Sequence, residues 1–177
     1  MQVRPARAED ASAIAALHAA SWSRTYADVL DPVYLRERVP AERGALWQQR
    51  FASPKTSQRV FVAEDAGEVI GFACVFLAEH EARGSYLDNL HVASGHQGRH
   101  VGVALMAAVA AACEHECPGR GLYLSVNQSN RRAQGFYTAL GAVNTEAGVW
   151  HAPDGSVVPT FRFAWPAAAL LLLTRPA

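Results

Sequence analysis

The residues of this 177-residue chain that could do chemistry crowd into one stretch, Tyr86 to Leu105. Leu90 and Val92 share one face of a strand, whereas Leu87 has the opposite parity. A strand of period two cannot bury both sets on one side unless a residue is inserted, so the pattern predicts a β-bulge near Asp88-Asn89. A bulge leaves backbone groups unpaired, and those groups can serve a ligand. Gly98 and Gly102 bracket the start of an Ala-rich helix, where free N–H groups and the positive dipole end favour an anion. Arg99 adds a fixed charge that suits a phosphate. The spacing is not Gly-x-Gly-x-x-Gly, and no Gly-Lys-Ser/Thr follows, which disfavours a Rossmann dinucleotide site and a P-loop. Cys113-x-His115-x-Cys117 places two cysteines four apart in the same helix, with no second cysteine pair. That is not the four-ligand spacing of a zinc site, so no metal is expected and Cys113 is read as core.

The elements that must position these residues follow from period and turn chemistry. Val3-Arg4-Pro5-Ala6 reads as a first strand, which Pro5 restricts to an edge or an end. Glu9-Asp10 open a helix carrying Ile14, Leu17, Trp22 and Tyr26, and Asp31-Pro32 starts a second in cap-plus-proline form. A third helical piece after Pro40 carries Leu46, Trp47 and Phe51. The period then changes. Val60 to Ala63 and Val69 to Leu77 form a hairpin around a Glu64–Glu68 turn, and a loop at Glu79–Gly84 leads into the strand at Tyr86. The helix from about Val101 to Glu116 is apolar on most sides, as a helix lying against a sheet must be. Leu122, Leu124 and Val126 alternate as a strand. Asn130 caps a helix that Gly141 ends, and Gly135 within it suggests a packing or close-approach constraint. Two strands, Ala142–Trp150 and Ser156–Trp165, close the order around an Ala152-Pro153-Asp154-Gly155 turn. The result is an α/β (α+β) layered arrangement around one sheet of about seven strands, in a single domain spanning 1–177.

Two motifs in order resemble the signatures of the GNAT superfamily of acetyl-CoA-dependent N-acetyltransferases. Gln97-Gly98-Arg99-His100-Val101-Gly102 is similar to its Gln/Arg-x-x-Gly-x-Gly/Ala pyrophosphate loop, with His100 where the family usually has glycine. Asn130-x-x-Ala133-x-x-x-Tyr137-x-x-x-Gly141 resembles a second segment, with Ala142 in place of its final Phe. The element order resembles the GNAT layout over nearly the whole chain. That fold implies a mixed, mostly antiparallel sheet flanked by helices, with a bulge and splayed strands at the acyl-CoA site.

The resemblance implies acetyl-CoA as co-substrate and a primary amine as acceptor, joined by direct attack in a ternary complex. Gln97, Gly98, Arg99, His100, Val101, Gly102 and Val103 would offer donors to the pyrophosphate. Leu90, His91 and Val92 would lend backbone groups to the pantetheine amides, and Asn130 and Ala133 complete the cofactor side. For the loop to keep its shape, His100 must present its N–H with the side chain turned away. Tyr137 stands at the family's acid position. A phenol with reference pKa of about 10 is neutral at pH 7 and can protonate a departing thiolate; a tyrosine at this spacing also packs its ring in a core. Asp88 at the bulge is the first choice of base, and equally a carboxylate that could satisfy bulge amides. His91, whose parity points it away from the acceptor, and Glu79 or Glu81 follow. The first helices roof the acceptor site in the family, which makes Trp22 and Tyr26 candidate pocket residues. Arg131-Arg132 read as a solvated face or as partners of the nucleotide phosphates.

Composition excludes other classes. Sixteen basic and sixteen acidic residues cancel, which gives no nucleic-acid or anionic-membrane footprint. Three cysteines and an N-terminus without an apolar core fit a cytoplasmic protein. The apolar run Ala167–Leu173 is too short to span a bilayer and is expected to pack on the body or on a second copy in a homodimer. Two other readings stand beside the enzyme: a CoA-binding sensor or structural module without turnover, and an acyltransferase for a longer acyl-CoA.

Overall fold

A computed structural model of the chain describes residues 1–174. The elements run β1 (Gln2–Pro5), α1 (Ala11–Thr25), α2 (Pro32–Glu37), α3 (Val39–Ala52), β2 (Gln58–Asp65), β3 (Glu68–His80), β4 (Gly84–Val92), α4 (Val101–Glu116), β5 (Leu122–Asn127), α5 (Arg131–Ala139), β6 (Val143–His151), β7 (Val157–Trp165) and α6 (Ala167–Leu173). The strands form one sheet in the order β1-β2-β3-β4-β5-β7-β6. Every neighbouring pair is antiparallel except β4–β5. Pro5 sits in the edge strand, where its missing N–H removes no ladder bond from a central position.

The sheet is covered on both faces, so its central strand reads as an almost continuous apolar run. Along β3, Ala73, Val75 and Leu77 join the cluster built by Val101, Leu105, Met106 and Val109 of α4. The alternate residues Phe72, Cys74 and Phe76 pack with Ile14 of α1 and Trp47 of α3. A third cluster ties Trp22, Leu30, Tyr34 and Val39 to Val158 of β7. The β2–β3 hairpin is longer than its polar residues suggested. Its turn shrinks to Ala66-Gly67, both at positive φ, as a two-residue hairpin turn requires. Glu64 stays in the ladder because Arg4 of the paired strand holds it at 2.7 Å, and Arg4 also binds Asp10.

Two glycines decide where the sheet opens. A Cβ on Gly84 would lie 2.0 Å from the Gly121 carbonyl oxygen, and one on Gly121 would lie 2.6 Å from the Trp165 carbonyl oxygen. Their bare backbones clamp the bases of β4 and β5, where Ser85 N–H donates to Gly121 O at 2.9 Å. Parallel pairing then lasts only through Ser85↔Leu122 and Tyr86↔Tyr123. Beyond Tyr86 the two strands splay apart. Gly135 carries no such constraint: a Cβ there meets nothing within 4 Å, so the packing reason expected from sequence is absent. Helix α6 lies on α4, with Leu170 buried and Leu171 and Leu172 exposed. Among the described residues, no helix is long and apolar enough to cross a membrane.

Candidate active site

The bulge lies where the parity of the leucines demands it. Cys74 pairs with Asn89 and Val75 with Leu87, which leaves Asp88 as the inserted residue. The insertion turns Leu87, Leu90 and Val92 toward one core cluster. Just before it, after Tyr86, β4 has already lost its β5 partner, and a cavity of about 920 Å³ fills the opening. That volume suits a cofactor-sized ligand together with a small second one.

One arm of the cavity runs to the N-terminus of α4. Gly98 takes φ +79° and His100 φ +60°, so two left-handed residues bend the chain into the first helical turn. Histidine tolerates this region better than most side chains, at a cost of order 1 kcal/mol. His100 thus adopts the conformation that a glycine would take, and its residue is exposed. Gly98, His100, Val101, Gly102 and Val103 line the cavity, with first-turn N–H groups that have no helical partner. Gln97 also lines it, donating to Val92 O at 3.2 Å and accepting from Arg132 at 2.5 Å. Arg99 is not brought to this lining: its guanidinium lies 4.0 Å from Asp65 on the outer surface. Of the arginine pair on α5, Arg132 lines the main cavity, and Arg131 lines a smaller neighbouring one. Asn130 accepts from Ala133 N–H at 3.1 Å as the α5 cap, and both residues line the cavity. Sequence reasoning missed Asn127. Its Oδ1 accepts from Ser129 N–H, but its buried Nδ2 has no partner among the described residues and is a ready donor at the open end of β5.

Tyr137 reaches the same cavity from α5. Its ring packs on Phe136, Phe163 and Trp165 at centroid distances of 5.4, 6.3 and 5.9 Å. Burial raises its pKa well above the usual phenol value, which keeps the hydroxyl protonated at any physiological pH. Core packing and a proton-donor role are therefore compatible in one side chain.

The candidate bases separate clearly. Glu79 and Glu81 stay exposed at the far end of the β3–β4 hairpin, outside the lining. Asp88 lines the cavity but is held by Arg50 at 2.8 Å, and the same Arg50 nitrogen donates to Asn89 at 3.1 Å. His91 lines the cavity instead of turning away from it. Its parity turns it toward α1, the side that also carries Trp22 and Tyr26, and all three line the cavity. Its Nδ1 lies 2.7 Å from Ser21 Oγ, and its ring packs on His18 and Phe72 at 4.9 and 5.2 Å. Burial, reinforced by Arg24, pulls its pKa down to about 4, so the imidazole is neutral at pH 7. Burial, with like charge from His91 and two arginines, pulls His18 down to about 2. His18 Nδ1 accepts from Trp47 Nε1 at 3.0 Å, which puts the ring proton on a buried Nε2 that has no partner among the described residues.

Trp22 and Tyr26 form an aromatic wall with Trp150 of β6, at 5.1 to 5.6 Å. Tyr34 and Trp47 are core. Cys113 is buried in the α4 cluster, and no group of three His, Cys, Asp or Glu among the described residues could hold a metal. His18, Arg43, Arg50 and Trp150 escaped the sequence reading. Signals existed for three of them: His18, Trp22 and Tyr26 recur every four residues on α1, and Arg43, Leu46 and Arg50 share one α3 face. Trp150 reaches the wall only through the sheet order, which period cannot supply.

A family model described as the acetyltransferase (GNAT) family matches residues 16–142. A protein of Mycobacterium tuberculosis described as an uncharacterized N-acetyltransferase is 30% identical over 134 residues, covering 75% of this chain and 82% of that one. Among solved structures, a GCN5-related N-acetyltransferase from Rhodopseudomonas palustris superposes with a TM-score of 0.74 at 21% identity, covering 93% of this chain and 94% of the other. An acetyltransferase from Salmonella typhimurium, solved with acetyl-CoA, gives 0.69 at 18% identity, covering 94% of each chain.

Proposed function

The chain belongs to the GNAT acetyltransferase family, and from that premise we propose that it binds acetyl-CoA in the β4–β5 opening and transfers the acetyl group to a primary amine by direct attack. The observation that carries this reading is the single cavity joining a helix N-terminus, a broken strand ladder and Tyr137. The residues present fit the cofactor. The N–H groups from Gly98 to Val103 receive the pyrophosphate, the unpaired edge of Leu90, His91 and Val92 meets the pantetheine amides, and Asn127 Nδ2 is an orphan donor beside them.

Acetyl-CoA supplies an activated thioester; the chain positions the amine and moves two protons. Attack by the neutral amine forms a C–N bond, and the ammonium of the resulting adduct is far more acidic than a free alkylammonium. His91 takes that proton at Nε2, which requires the tautomer whose Nδ1–H donates to Ser21 Oγ. The C–S bond breaks, and Tyr137 gives its proton to the sulfur. Asp88, engaged by Arg50, holds the bulge instead of acting as base. None of the three cysteines lines the cavity, so the reading includes no acetyl-cysteine intermediate.

Calorimetric titration with acetyl-CoA and CoA, beside Gly102→Glu, tests the reading. A Cβ on Gly102 already lies 3.2 Å from the Phe136 ring, so a glutamate must crowd the loop and bring negative charge to the phosphate site. Micromolar binding that the variant abolishes is expected. No binding of either species by the wild-type protein overturns the proposal.

A further inference from the structure

The charges around the acceptor side of the cavity do not balance. Four arginines line the cavity, Arg24, Arg43, Arg50 and Arg132, against one carboxylate, Asp88. Arg132 is occupied with Gln97 beside the phosphate loop, and Arg24 shares the smaller cavity with Arg131 at the start of α5. Arg50 is neutralised by Asp88. Arg43 is left over. Its side chain is only 14% exposed, and its nearest carboxylate oxygen, on Glu42, is 3.8 Å away. Glu42 is itself already engaged by the Tyr34 hydroxyl at 2.6 Å and by Arg38 at 3.0 Å. The Arg43 Nε is buried without a hydrogen-bond partner among the described residues. Its guanidinium stacks 4.2 Å over Trp22, which covers one face and leaves the donor edge free. A cation this sheltered, whose carboxylate partner at 3.8 Å is already shared with Tyr34 and Arg38, is costly, and a site that retains one has a use for an anion.

We propose that the acceptor is a small amine that also carries a carboxylate and an apolar body, with Arg43 binding the carboxylate and the Trp22, Tyr26 and Trp150 wall packing the body. This rests on the acetyltransferase reading of the same cavity. The geometry is consistent with one ligand reaching all three features. Trp22 touches His18 at 5.8 Å, and His18 touches His91 at 4.9 Å, so the arginine and the proton acceptor flank a continuous set of rings. An acceptor bearing only amines would instead bring a second cation against Arg43, and the field there disfavours it.

The test is a CoA-release assay on matched sets: L-amino acids, their amides and the corresponding decarboxylated amines, with spermidine as a polycation. Acids with apolar or aromatic side chains are expected to exceed their amides by about tenfold or more in kcat/KM, the loss typical of an unmade charge-assisted hydrogen bond. Arg43→Gln should reduce that ratio to near one through a raised acceptor KM, while the calorimetric affinity for acetyl-CoA stays unchanged. Arg43→Lys should retain part of the preference. Amides, plain amines or spermidine used as well as the acids, no turnover of any acid in the set, or an undiminished preference in Arg43→Gln each overturns the inference. The two readings fail separately: loss of acetyl-CoA binding in the wild-type protein sinks the acetyltransferase itself, whereas intact binding without acid preference sinks only the acceptor class.

Discussion

Replacing Tyr137 by phenylalanine separates the proposed proton donation from everything else the residue does. The ring contacts with Phe136, Phe163 and Trp165 survive in the variant, because each is made by the aromatic body. No protein group bonds the hydroxyl among the described residues, so its removal strands no partner and stability should change by less than about 1 kcal/mol. The catalytic loss is of a different size. General acid catalysis by a positioned side chain contributes about 10²- to 10⁴-fold, or roughly 3 to 5 kcal/mol of barrier. Of the other phenols on the cavity, Tyr86 is pushed up to about 12 and sits before the opening, where β4 still pairs with β5, and Tyr26 belongs to the aromatic wall with Trp22 and Trp150. The assay is steady-state CoA release with saturating acetyl-CoA, beside thermal melts and cofactor calorimetry. The expected pattern is kcat down at least a hundredfold, the melting point within about 3 °C, and acetyl-CoA affinity preserved. Because burial raises the phenol, the wild-type profile should show no alkaline loss from Tyr137 below about pH 10. A variant that keeps a third or more of wild-type kcat would refute the acid role and leave Tyr137 as core.

Three further outcomes follow from the geometry. His91→Gln should lower kcat by about a hundredfold, whereas Asp88→Asn, which keeps shape and loses only the Arg50 ion pair, should cost less than about tenfold; the reverse ranking in the same assay would return the base to Asp88. His18 and His91 have folded pKa values of about 2 and about 4 against 6.5, so their contribution is fully present above pH 6.5 and is lost as pH falls toward those values. Between pH 7 and 5 each histidine should cost on the order of 2 kcal/mol by linkage, read as a falling melting point whose slope His18→Gln roughly halves; a pH-independent melt over that range would contradict it. His100→Gly relieves a left-handed side chain and should stabilise the fold by up to about 1 kcal/mol with cofactor affinity retained, as measured by melts and calorimetry; a loss of affinity would mean that the imidazole itself contacts the ligand.

Much of the site is local chemistry, and local chemistry is legible in a chain. The parity conflict of Leu87 with Leu90 and Val92 could be resolved only by an inserted residue, and Asp88 is that residue. The α4 helix, its glycine-bent start, and the Asn130 cap are set by neighbours within a few positions, so their bounds follow from sequence. What the rest required was distance along the chain. Arg99 and Asp88 read alike as free charges beside a ligand, yet partners 34 and 38 residues earlier, Asp65 and Arg50, engage both. For His91, parity tells which face the residue takes, not what covers that face; α1 covers it, with Ser21 70 residues away. Sequence alone therefore determined the α4 arm of the cavity and the bulge, whose causes are backbone period and turn conformation. The tertiary structure alone decided the opposite side, because a pocket between α1, α3 and the β6–β7 hairpin exists only where three distant segments meet.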